Sequence, residues 1–250
     1  MRSPAEQCSK REIRGPNPLL CSNKNVIDLD DLLKNLMNKD FCYFIGVIQG
    51  DGTCRKYIDR TKNKKRLCLF LAGKDIEMVS RSANIFNSTF RKNVGIFRRS
   101  RDNLFGFSTT VNSLAYFFNK LKIDFSDPPK APNWIKNNED LFGSYLAGLI
   151  DSDGSVCIKR KKYPQCKVNI ISGHPQHDLK KSIEKNLKCK ASIEESGGIM
   201  KSTGKWYPGF DLVFLVSSKN REFVRKNVLP FITIPRKRET IEKYLKIHSE

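Results

Sequence analysis

The chain holds 250 residues, 39 % of them apolar, with 46 Lys and Arg against 26 Asp and Glu for a formal net charge of +20. This composition excludes an acidic disordered chain, a collagen-like repeat and a membrane protein, and it suits one large domain or two small ones. No apolar run approaches the roughly 20 residues of a spanning helix. The basic start, MRSPAEQCSKREIRG, lacks the apolar stretch of a secretory signal.

A surplus of this size points first to nucleic acid, because neutralising phosphates releases counterions. An anionic membrane surface is the second reading and a merely solvated surface the third. The charge is evenly spread, +11 over residues 1–125 and +9 over residues 126–250. Two similarly basic halves suggest an extended footprint. The eight cysteines (Cys8, Cys21, Cys42, Cys54, Cys68, Cys157, Cys166 and Cys189) contain no C-x-x-C pair and make no zinc pattern with the histidines. They are expected to be reduced and mostly buried.

Along the chain, an irregular start with Pro4, Pro16 and Pro18 leads to Asp28, Asp30 and Asp31 ahead of LLKNLM, a short capped helix. Asp40 to Gly52 is an apolar helical run ending in Asp-Gly. Two strands follow around the basic turn at residues 60–66, RLCLFLA being the stronger. Residues 75–90 read as a helix, NVGIFRRS and NLFGFSTTV as a second hairpin, and VNSLAYFFNKL as a closing helix. Residues 122–138, with Pro128, Pro129 and Pro132, read as a linker. The same order then repeats. Leu141–Ile150 is an apolar helix before Asp151-Ser-Asp-Gly154, and SVCIKRK and KVNIISG flank a second basic turn. HDLKKSIEKNL is a helix, CKASIEES and FDLVFLVS form a hairpin with a long connection, and REFVRKNVLPFI and ETIEKYLKI are helical. The organisation is thus an N-terminal extension with a short helix (1–39), a first half (40–121), a linker (122–140) and a second half (141–250). A shared order at a shared offset of about a hundred residues indicates an internal duplication.

The informative feature is the pair of Asp-Gly helices. Phe44-Ile-Gly-Val-Ile-Gln-Gly-Asp-Gly52 matches Leu146-Ala-Gly-Leu-Ile-Asp-Ser-Asp-Gly154 position by position, with Gly46 on Gly148, Gly50 on Ser152 and Asp51 on Asp153. Small residues at this spacing let two helix backbones approach closely. A helix C-terminus is already partly negative, so an aspartate there costs stability unless a cation is near. Two such ends side by side suit a divalent cation with a preference for hard oxygen ligands, Mg²⁺ first, other divalent ions being alternatives. Within a strongly basic chain, that pairing points to metal-assisted phosphodiester hydrolysis. Each Asp-Gly taken alone also reads as an ordinary turn after a buried helix.

The stretch Leu146-Ala-Gly-Leu-Ile-Asp-Ser-Asp-Gly154 resembles the signature of LAGLIDADG homing endonucleases nearly letter for letter, and Phe44–Gly52 resembles a diverged first copy. The resemblance covers about residues 40–250. It implies an α+β monomer of two pseudo-twofold-related αββαββα halves, whose two antiparallel sheets form a DNA-binding saddle. It implies that Asp51 and Asp153 bind the divalent metals. It also implies a basic residue at the end of the second strand of each half, which Lys74 fits and His174 replaces in the second half. Lys74 and His174 also read as ordinary surface residues. At the sixth motif position the copies differ, Gln49 against Asp151.

The basic hairpins are the expected DNA-binding side: Arg55, Lys56, Arg60, Lys62, Lys64, Lys65 and Arg66 in the first half, then Arg98, Arg99 and Arg101 in its next hairpin. Lys159, Arg160, Lys161, Lys162 and Lys167 occupy the matching place in the second half. A two-stranded ribbon fits the major groove, where alternate side chains reach bases and turn residues hold phosphates. The resulting expectation is a site-specific endonuclease of intron homing, acting on a long duplex target. The alternatives are an intron RNA maturase, binding RNA, and a catalytically silent DNA-binding protein on the same scaffold. An intein is disfavoured by Met1 and by the His-Ser-Glu end. The compartment stays open beyond the cell interior.

Overall fold

A computed structural model describes residue 33 and residues 36–59, 64–110, 112–160, 162–199 and 204–248. The short helix expected after Asp31 falls largely outside these residues. The body from residue 35 onward forms one compact unit.

Its first half runs α1 (Lys39–Gly50), β1 (Gly52–Asp59), β2 (Lys64–Gly73), α2 (Ile76–Phe90), β3 (Phe97–Arg99), β4 (Leu104–Thr110) and α3 (Asn112–Lys120). A four-residue helix, α4 (Asn133–Lys136), interrupts the proline-rich connection. The second half runs α5 (Glu139–Asp151), β5 (Gly154–Lys159), β6 (Gln165–Ser172), α6 (His177–Leu187), β7 (Ala191–Ile199) and β8 (Trp206–Val216). It closes with α7 (Arg221–Phe223), a π turn (Val224–Val228), a 3-10 turn (Leu229–Phe231) and α8 (Pro235–Ile247). Both sheets are four-stranded and antiparallel, ordered β1-β2-β4-β3 and β5-β6-β8-β7. The fold is therefore α+β, with one αββαββα order used twice.

The two motif helices start in the same way. Asn38 Oδ1 accepts from Phe41 N–H at 2.9 Å, and Asn138 Oδ1 accepts from Leu141 N–H at 3.1 Å, each satisfying one orphan donor of a first turn. Residues Phe41–Ile48 and Phe142–Asp151 are buried throughout. A helix apolar on all sides belongs in a core, and these two form the centre of the molecule, with a sheet-and-helix layer around each. In the first half Phe41, Phe44, Phe86, Phe90 and Phe107 form a chain of ring contacts, Phe41 stacked on Phe44 and the tilted Phe86 and Phe90 rings 4.9 Å apart.

Three elements differ from the sequence expectation. The strand read over residues 93–100 shrinks to Phe97–Arg99 because the Asn87 carboxamide takes both backbone groups of Val94, accepting from its N–H at 2.7 Å and donating to its carbonyl at 3.4 Å. The β7–β8 hairpin is longer than read, pairing through Ile199 and Trp206. The run REFVRKNVLPFI is not a regular helix. Pro230, which has no N–H for a helical bond, sits in its 3-10 end. Of the six described cysteines only Cys42 and Cys166 are buried and Cys157 is exposed, so burial is less general than composition suggested. No helix among the described residues is long and apolar enough to cross a membrane.

Candidate metal centre and nucleic-acid interface

Backbone contact between α1 and α5 sets the site. A Cβ added at Gly46 would stand 2.3 Å from the Tyr145 carbonyl oxygen, and one at Gly148 would stand 2.2 Å from that of Tyr43. The crossing is reciprocal, and only glycine fits on either side. One turn on, a Cβ at Gly50 would meet Ser152 Oγ at 2.0 Å and Asp153 Oδ2 at 3.1 Å. Asp153 therefore lies beside the end of α1, next to Asp51, and both carboxylates stand where two negative helix ends meet.

Asp51 caps α1, its N–H donating to the Val47 carbonyl at 3.1 Å. Its outer side is exposed, yet the protein mass around it raises its carboxyl above the usual range, Asp75 adding to the rise and Lys237 opposing it. Asp153 is half-buried. Desolvation first, then Asp51 and Asp127, push it up to about 7, again against Lys237. Neither motif helix carries a basic residue in its last turn. The missing cation comes from far along the chain. Lys237 in α8 is 5 % exposed, and its Nζ donates to the Ile150 carbonyl at 2.6 Å and the Asp151 carbonyl at 2.7 Å. Burial lowers its pKa, while Asp151, Asp75 and Asp51 raise it. Sequence reasoning missed Lys237, and no local pattern marks it.

The sixth motif positions have related jobs. Tyr145 Oη–H donates to Gln49 Oε1 at 2.6 Å, and Gln49 Nε2–H in turn donates to the carbonyls of Asp124 and Lys130 in the linker. In mirror fashion Tyr43 Oη–H donates to Asp151 Oδ2 at 2.8 Å, and the Thr233 and Ile234 N–H groups donate to the same carboxylate. Gln49 and Asp151 thus each tie a trailing segment to the helix pair. Desolvation raises the Asp151 carboxyl, and its N–H and hydroxyl partners oppose the rise. Tyr43 and Tyr145 share the offset of the motif aspartates, a signal that was present in the sequence.

Lys74 follows the last residue of β2 and is exposed. His174 is also exposed, two residues past β6, with its N–H on Ser172 Oγ at 3.2 Å. The two are not counterparts in strand register. Gly52 pairs with Leu71 and Gly154 with Ile170, so the first hairpin is three residues longer. Gly73 then answers to Ser172, and Asp75 to His174. The surroundings differ as well. Arg236 Nη2 lies 2.7 Å from Asp75, whereas Ser172 Oγ–H donates to Asp127 of the linker.

Each sheet turns one face away from the helices. Arg55, Lys159 and Lys167 lie on these faces, Arg55 and Lys159 exposed and Lys167 3.5 Å from Glu194. Arg160 and Lys162 stand exposed at the second basic turn. Arg98 lies over the Phe105 ring and donates to Asn103, and Arg99 pairs with Asp102 at 2.6 Å. Arg101 is exposed in the β3–β4 turn. Lys56 is in β1, and Lys64, Lys65 and Arg66 are in β2. Arg60, Lys62 and Lys161 are the remaining residues of the expected basic set; Arg60, Lys62 and Lys161 lie outside the described residues.

Among the described residues no group of three or more His, Cys, Asp or Glu side chains is arranged to hold a metal ion. Two desolvated carboxylates at two negative helix ends still fit a divalent ion that keeps several waters and takes its other ligands from a phosphate-bearing substrate. No protein-family model and no curated protein matches the chain. Solved structures do. The homing endonuclease I-DmoI in complex with DNA and Mn matches at TM-score 0.52 and 15 % identity, over 77 % of this chain and 97 % of that one. A single-residue variant of I-DmoI with its target DNA and Mg matches at 0.51 and 14 %, over 78 % and 97 %. The LAGLIDADG homing endonuclease I-GzeII in complex with its DNA target matches at 0.50 and 11 %, over 83 % and 90 %. The chain has the fold of LAGLIDADG homing endonucleases.

Proposed function

We propose that this chain is a site-specific endonuclease that hydrolyses both strands of a long duplex target with the help of a divalent cation, Mg²⁺ being the expected ion. The observation that carries the reading is the meeting of Asp51 and Asp153 at two glycine-packed helix ends, between two sheets of identical order. The matched solved structures that hold target DNA have the same fold, which supports duplex DNA as the ligand. One chain carries both halves, so a monomer suffices.

Asp51 and Asp153 would hold the ion through their carboxylate oxygens. A cation there supplies neutralisation of phosphate charge and a more acidic bound water. The chain's own residues do the rest. The Gly46–Gly148 crossing holds the two carboxylates at one place. Lys237 binds the last carbonyls of α5 and so satisfies that helix end. Lys74 and His174, exposed just past β2 and β6, would donate a hydrogen bond to a bound phosphate or orient a water. Arg55, Lys159 and the exposed turn residues Arg160 and Lys162 supply phosphate contacts that fix register.

The test is incubation with a randomised duplex library and Mg²⁺, followed by sequencing of cut ends. Asp51→Asn and Asp153→Asn are expected to abolish cleavage and leave binding of the selected site largely intact. Joint loss of binding and cleavage in folded variants would assign the aspartates a structural role instead.

A further inference from the structure

The outward face of the first sheet carries an aromatic pair. Phe70 of β2 and Phe97 of β3 stack with ring centroids 6.1 Å apart and an interplanar angle of 27°. Their strands are not neighbours, because β4 lies between them. Phe97 pairs with Gly106, and its ring reaches across β4 so closely that a Cβ at Gly106 would stand 2.8 Å from Phe97 Cζ. The glycine leaves the space the ring occupies. Phe70 is half-buried and Phe97 is 36 % exposed, on the edge strand.

The face around the pair mixes small and polar groups, with Cys68 and Ala72 flanking Phe70 along β2. Register places Thr53 opposite Phe70 on one side and Ser108 opposite it on the other, with exposed Arg55 one step along β1. A patch meant for an apolar protein surface would extend further and carry less charge. One aromatic pair among hydroxyls and an arginine, on a chain of charge +20, suits the major-groove edge of a duplex. There the 5-methyl of thymine is the apolar group on offer, and hydroxyls and arginine take the polar edges. The geometry points to Phe70 and Phe97 as specificity-determining residues that read thymine methyl groups in the half-site beneath the first sheet. This rests on the duplex DNA reading above. At about 3.4 Å per base step along a strand, the 6.1 Å between the rings covers two neighbouring positions.

The test separates this assignment from the reading beneath it. Sites bound by the wild-type chain are selected from a randomised duplex library, and thymines of the selected half-site are replaced one at a time by deoxyuracil, which removes only the methyl. Two neighbouring positions are expected to lose about fourfold in affinity each, the worth of one buried methyl-sized group. In Phe97→Ala, deoxyuracil and thymine should bind alike at one of the two positions, and Phe97→Leu should restore part of the difference. If no sequence is enriched, the duplex reading itself fails. If a sequence is enriched but deoxyuracil is neutral throughout that half, or Phe97→Ala keeps the discrimination at both positions, the duplex reading stands and this assignment is overturned. Concentration-dependent self-association that Phe97→Ala abolishes, with deoxyuracil neutral, would overturn it in favour of a second copy of the chain as the occupant.

Discussion

Gly46→Ala isolates the helix crossing on which the proposed site depends. The new Cβ would stand 2.3 Å from the Tyr145 carbonyl oxygen, 3.0 Å from Leu149 N and 3.2 Å from Gly148 Cα. All three are backbone atoms of the opposite helix, so no rotamer change relieves the contact. An ordinary carbon–oxygen contact requires the helices to part by about 1 Å. That loosens packing along two helices whose facing residues are buried from Phe41 to Ile48 and from Phe142 to Asp151. Overpacking of this kind costs about 1–3 kcal/mol, and backbone opposing backbone places this case near the upper end. Replacing glycine inside a helix returns up to about 1 kcal/mol of propensity, leaving a net loss of about 2 kcal/mol. For a body of this size that lowers Tm by about 4–8 °C, measurable by calorimetry or urea titration. Gly148→Ala should behave alike, because its Cβ would meet the Tyr43 carbonyl at 2.2 Å. The double variant should lose clearly less than the sum, since the second methyl meets a helix already displaced. Cleavage should fall more than site binding as Asp51 and Asp153 separate. A Gly46→Ala protein as stable as the wild type, or a fully additive double variant, would refute the reasoning.

Two further outcomes concern charge. Lys237→Met leaves the Ile150 and Asp151 carbonyls without their donor and should cost about 3 kcal/mol, hydrogen bonds from a charged group being worth about 1.5–3 kcal/mol. It also removes the cation that opposes the rise of Asp51, Asp151 and Asp153. Added Mn²⁺ should therefore raise the Tm of the variant by more than that of the wild type, and equal increments in thermal melts would refute the shared-cation role. Without divalent ions, the raised Asp153 carboxyl means that the folded state holds a proton the unfolded state has released. Stability should then fall as pH rises from about 4 to about 7 and level off above. The loss should be on the order of 2 kcal/mol after solvent screening, and Asp153→Asn should flatten it in urea titrations at stepped pH.

How much of this was legible in the sequence depends on the distance over which each feature is encoded. The helix-hairpin order and the meeting of Gly46 with Gly148 rest on local runs and on one offset, so both could be read from the chain. Phe97–Arg99 could not, because strand length there is decided by the Asn87 side chain bonding Val94 instead of a neighbouring strand. The equivalence of Lys74 and His174 fails for a related reason. Gly73-Lys74 and Gly173-His174 look alike as letters, but the first hairpin is three residues longer, and register follows hydrogen bonds, not letters. Lys237 was out of reach, since it acts 86 residues from its carbonyl partner on Asp151 and stands in an ordinary basic helix start.

The likeness of the halves also ends at the aspartates, for a reason that lies in the trailing segments. The linker after the first half runs to the second, where Asp127 accepts from Ser172. The segment after the second half runs to the first, where Arg236 pairs with Asp75, and Arg81 donates to the Phe231 carbonyl and lies 4.2 Å over the Tyr43 ring. Each half therefore completes the surroundings of the other half's aspartate. The two segments bring opposite charges to the two places, an arginine beside Asp75 and a carboxylate beside Ser172. Asp51 thus sits near an acidic neighbour already paired with a cation, while Asp153 feels both Asp51 and Asp127. One backbone plan used twice yields two aspartates with surroundings of unlike charge, because the residues that distinguish them are supplied by the trailing segments.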